Sequence, residues 1–144
     1  MKLLKNLDAL HKQEFLKFPV YISLLAASKD CKLDGAEKKA VIKLANIKSF
    51  DSESLLAEFF KEADKVFENN LSQIERDLPR GKENREAVIK TKILNLEKIL
   101  LKLGKKYTAA MHRSMDTFKD HVSKAHHSVV EDFLLPIPIP GLTD

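Results

Sequence analysis

Apolar residues recur every three or four positions along most of this chain, with polar residues between them. Leu3, Leu4, Leu7 and Leu10 open the pattern and predict a first helix over about residues 2–16. Pro19 interrupts it, and proline suits the first turn of a new helix. Val20, Tyr21, Ile22, Leu24, Leu25, Ala26 and Ala27 nearly surround the axis of that second helix. A helix that is apolar all round belongs at the centre of a fold. The turn Lys29–Gly35 follows. Asp34 or Gly35 can then cap a further helix, with Glu37 in its first turn, where negative charge suits the helix dipole. Val41, Ile42, Leu44, Ala45 and Ile47 mark the buried face of that helix.

Ser49-Phe50-Asp51-Ser52 reads as the next helix start, because Asp51 or Ser52 can accept hydrogen bonds from open backbone amides. Leu56, Phe60, Ala63, Phe67, Leu71, Ile74 and Leu78 then hold one stripe, which Leu55, Phe59 and Val66 widen. The spacing predicts a helix over about residues 52–77, ended by Pro79 and Gly81. From Ile89 through Leu100, Tyr107, Met111, Met115, Phe118 and Val122 to Phe133 a single face stays in phase. One straight helix over that span would be about 70 Å long, too long for a compact body of this size. Gly104-Lys105-Lys106 is the expected break.

These elements predict an all-α protein, a single-domain compact helical bundle of about five to seven helices. The helical domain spans residues 1–134. Residues 135–144, rich in alternating Pro and Ile, form an extended tail, because each residue before a proline is pushed out of helical geometry. That tail is apolar and is expected to pack along the helical body.

Composition changes this picture in two places. The net charge is only +4, yet Arg80–Lys106 holds nine basic residues against three acidic ones. Such a segment is either the solvated face of an amphipathic helix or a surface for an anionic partner. It contains no aromatic residue before Tyr107 to stack on bases, which argues against nucleic acid. Cys31 is the single cysteine, so neither a disulfide within the chain nor a Cys-based zinc site is expected. With no apolar run long enough for a membrane span and no signal-peptide pattern, a cytoplasmic protein is expected.

Candidate chemistry concentrates at the acidic turn. Asp30, Asp34 and Glu37 lie close together where two helices meet, and they would repel one another unless a cation joins them. A hard divalent cation suits such oxygen ligands; the neighbouring lysines are the metal-free alternative. The EF-hand template fails here, since Lys32 and Val41 stand at ligand positions. The segment Leu24-Leu-Ala-Ala-Ser-Lys-Asp-Cys-Lys-Leu-Asp-Gly-Ala-Glu resembles the signature of the tellurite-resistance TerB-like family. Asp30 matches the family aspartate, Leu33 its aliphatic residue and Glu37 its glutamate, while Cys31 stands where the family has glycine. The resemblance covers about residues 18–64. It implies a non-enzymatic helical binding protein linked to metal or stress response, with the acidic turn contacting a cation or a basic partner.

A second constellation lies on the last helical region, where His112, Asp116, His127 and Glu131 share a polar face. His and carboxylate one turn apart can chelate a transition metal. The alternative is the solvated side of an amphipathic helix. No nucleophile motif and no phosphate-binding glycine loop occurs, so no catalytic or cofactor-binding residue is predicted. The remaining functional alternative is a metal-independent helical adaptor, in which the basic 80–106 segment and the Pro-Ile tail bind a protein or an anionic surface.

Overall fold

The computed structural model describes residues 5, 7–27, 33–51 and 54–130, with the backbone alone at 27, 49–51 and 125–130. Within them the chain forms α1 (Ala9–Phe15), α2 (Phe18–Ala27), α3 (Gly35–Asp51), α4 (Ala57–Asp77), α5 (Lys82–Lys102) and α6 (Lys105–Val130). No strand occurs among the described residues. The fold is all-α and compact, as the periodicity predicts.

Helix α2 is the centre. It touches α3, α4, α5 and α6, and every residue from Phe18 to Ala26 is buried. That explains a sequence with no polar face. Its one hydroxyl, on Ser23, donates to the Pro19 carbonyl at 2.8 Å and so enters the core with its donor satisfied. Around α2 the other helices turn single stripes inward. Phe59, Phe60, Ala63, Phe67, Leu71 and Ile74 do so from α4, and Ile89, Ile93, Leu96 and Leu100 from α5. Met111, Met115, Phe118 and Val122 complete the core from α6.

The in-phase stretch from Ile89 onward is two helices. Gly104 adopts φ +106°, a left-handed backbone open to glycine without the usual steric cost. The Thr108 hydroxyl lies 3.1 Å from the Leu100 carbonyl and 2.8 Å from that of Gly104, stitching the two helix ends together. The apolar phase runs on across the break because α5 and α6 both face α2.

Local signals lose to burial at three points. Asp51 belongs to the end of α3, and α4 begins at Ala57 rather than near residue 52. Leu56, fully buried, precedes it and accepts the first helical bond from the Phe60 amide at 3.0 Å. Asp8 caps α1, its carboxylate accepting from the His11 amide at 2.8 Å. Its contact with the core is made by Phe15 and Leu16, while Leu10, assigned to the apolar stripe by spacing, is 75% exposed. Ile47, expected inside, is 48% exposed. The Pro-Ile tail over 135–144 lies outside the described residues.

Candidate functional site

At the start of α3 two side chains of the acidic turn meet. The Asp34 amide donates to Glu37 Oε1 at 2.9 Å, and the Glu37 amide donates to Asp34 Oδ1 at 2.8 Å. This reciprocal pair is a capping box, which satisfies backbone donors that the first turn of a helix leaves open. A third carboxylate, Glu75 from α4, approaches from the other side. The Leu33 amide donates to its Oε2 at 3.4 Å. Lys38 lies 2.9 Å from its Oε1, a charge contact rather than an aligned hydrogen bond. The acidic charge here is thus met by backbone amides and a lysine. Asp30 lies outside the described residues.

The histidine constellation is divided differently. His112 Nε2 lies 2.7 and 3.0 Å from the two carboxylate oxygens of Glu97, on α5. Burial pushes the Glu97 carboxyl above its ordinary range, and the His112 hydrogen bond and charge pull the other way. Asp116 pairs instead with Lys119 at 3.3 Å, a lysine only 4% exposed. The side chain of His127, and Glu131 as a whole, lie outside the description. Among the described residues no group of three or more His, Cys, Asp or Glu side chains is placed to hold a metal ion.

The outer face of α5 carries what spacing alone did not single out. Leu94 and Leu101 are 54% and 65% exposed. They lie two turns apart, about 10 Å along the axis. Lys90, one turn before Leu94, and Lys98, one turn after Leu94 and one turn before Leu101, are exposed on the same side, and exposed Lys102 flanks it. Of the acidic residues on this helix, Glu86 pairs with Lys90 at 3.1 Å and Glu97 with His112. The signal was present in the sequence. Both leucines fall outside the Ile89–Ile93–Leu96–Leu100 stripe, and a leucine out of phase on a lysine-rich helix has no core position to fill. Among the described residues, no helix is long and apolar enough to cross a membrane.

No protein-family model matches the chain, and no curated protein and no solved structure matches it.

Proposed function

We propose that the chain acts by binding rather than by catalysis, as a metal-independent helical adaptor whose α5 outer face docks on an acidic surface of a partner protein. The observation that carries this reading is the exposure of Leu94 and Leu101 beside exposed Lys90, Lys98 and Lys102. Exposed leucine at the middle of a patch with a charged rim is the composition of a protein interface. The lysines supply long-range attraction to an acidic partner, and the leucines supply apolar burial once it docks. Two leucines separated by Lys98 form no continuous apolar stripe of the kind that lies in a lipid interface. With no aromatic side chain on α5, stacking on bases lacks its platform. In this reading Asp34 and Glu37 serve the fold by starting α3.

The test places a photoreactive amino acid at Leu101, and as a control at exposed Asn69 on α4, in the full chain in its own cells. The expected result is a discrete protein adduct from position 101, absent from position 69, and lost when Lys98→Glu and Lys102→Glu are combined. Adducts equal at both positions, or an adduct at 101 that is indifferent to the charge reversal, would overturn the reading. Capture of lipid in place of protein would do so too.

A further inference from the structure

Between α3 and α6 lies a cleft of about 330 Å³ whose lining includes Leu44, Ile47 and Phe118. It accounts for Ile47, an apolar side chain that the helical period assigns to the core and that the fold leaves 48% exposed. Ser114 lines the same cleft. This residue is 3% exposed, yet its hydroxyl makes no hydrogen bond among the described residues. A hydroxyl on so buried a residue normally has a partner. The cleft thus joins an apolar wall to a polar atom that the described helices leave open.

We propose that the chain's own Pro-Ile tail occupies this cleft, turning back after α6 and running along it from Pro136 to Pro140. The register follows from chain lengths. His121, at one end of the lining, stands about 14 Å along the helix axis before Val130. Residues 131–135, extended at about 3.1 Å each, return about 16 Å, which brings Pro136 level with His121 and Ile137 level with Thr117. The next residues then pass Ser114. The chemistry suits the seat. Pro136, Pro138 and Pro140 have no N–H, so within 136–140 only the amides of Ile137 and Ile139 need partners where the backbone enters an apolar cleft. Ile137 and Ile139, two apart in an extended chain, can face the same wall, against Ile47 and Phe118. A tail carbonyl gives the Ser114 hydroxyl its acceptor. The seat uses neither α5 nor the acidic turn, so it stands or falls apart from the adaptor reading.

The experiment is disulfide trapping in the full chain, with the single native thiol removed by Cys31→Ser. Thr117→Cys with Ile137→Cys tests the seat, and Asn69→Cys with Ile137→Cys, on the outer side of α4, is the control; Thr117 and Asn69 are both exposed. Each variant is oxidised mildly at low protein concentration, and circular dichroism establishes that it is folded. The 117–137 pair should close within one molecule at least about tenfold faster than the 69–137 pair, because a seated tail raises the local thiol concentration. Adding Ile47→Asp, or Ile139→Asp, should slow the 117–137 pair toward the control rate. Equal rates for the two pairs would overturn the seat, as would a 117–137 rate indifferent to both aspartates. A 117–137 disulfide that forms only between molecules would place a second copy's tail in the cleft and overturn the return of the chain on itself.

Discussion

Asp34 separates a structural use of the acidic turn from a cation-binding one, and its substitution has a size that the structure sets. Replacing it with alanine removes the acceptor for the Glu37 amide, held at 2.8 Å. Losing an N-terminal capping side chain costs about 1 kcal/mol. Removing a negative charge from the first turn of the helix costs about 0.3–1 kcal/mol more. Asp34→Ala should therefore destabilise the chain by about 1–2 kcal/mol. In a urea titration with a slope of about 2 kcal/mol/M this lowers the midpoint by about 0.5–1 M. Asp34→Asn keeps an acceptor oxygen and should lose only the charge contribution, less than about 1 kcal/mol. Glu37→Ala, which removes the reciprocal bond to the Asp34 amide at 2.9 Å, should cost about 0.5–1.5 kcal/mol. All of this should be seen in metal-stripped protein, and adding Ca²⁺, Mg²⁺ or Mn²⁺ should leave the native and Asp34→Ala midpoints unchanged. The capping argument fails if Asp34→Ala matches native stability without metal and differs from it only when a cation is present, because a bound ligand stabilises the folded state by mass action.

Phe15→Ala should cost about 3–5 kcal/mol in the same titration. Its fully buried ring packs edge-on against Phe18 and Phe59 at centroid distances of 5.8 and 5.5 Å, so a loss below about 1 kcal/mol would mean that α1 does not hold this position. Gly104→Ala should cost about 1 kcal/mol or more through its positive φ alone, since nothing lies within 4 Å of the added carbon; thermal melts would detect it, and an unchanged melting temperature would refute the turn geometry. Burial first, then the charges of Glu14 and Asp77, push the Tyr21 hydroxyl up to about 12 from 10.0. Ultraviolet titration of a Tyr107→Phe variant should show a folded-state midpoint near that value and a return to 10.0 in denaturant. Because the folded value is the higher one, Tyr21 stabilises the fold below 10.0, and this contribution fades as pH rises toward 12. A midpoint at 10.0 in folded protein would show the ring to be hydrated.

The helices that could be read from sequence are those whose local pattern and tertiary role agree. Residues 18–27 lack a polar face and lie at the centre; the stripe from Phe60 to Ile74 is buried as its spacing implies; the break at Gly104 falls where the one residue tolerant of φ +106° occurs. The failures have tertiary causes. Leu56 is buried, and α4 starts behind it rather than at the polar signal near residue 52. His112 and Glu97 are fifteen residues apart and meet only because α5 and α6 pack together. Lys119 reads as a surface residue, yet it is 4% exposed and lies 3.3 Å from Asp116, one of the carboxylates that the helical face had offered to a metal. At the acidic turn, residue types and spacing suited a cation and a helix cap alike; the two amide bonds of Asp34 and Glu37 are those of the cap. The outer face of α5 was legible as charge, whereas the significance of Leu94 and Leu101 depends on knowing which side of the helix the core occupies.

The most direct test of the central claim is the mass of the complex that the full chain forms in its own cells, measured by native size-exclusion with light scattering after gentle purification. Native protein, Leu94→Ser with Leu101→Ser, and Lys98→Glu with Lys102→Glu would be compared at low and high salt. The account predicts a defined complex for native protein that weakens as salt rises. It also predicts the monomer mass for both double variants, with each still folded by circular dichroism. A complex of unchanged mass in both variants would contradict a docking role for the α5 face.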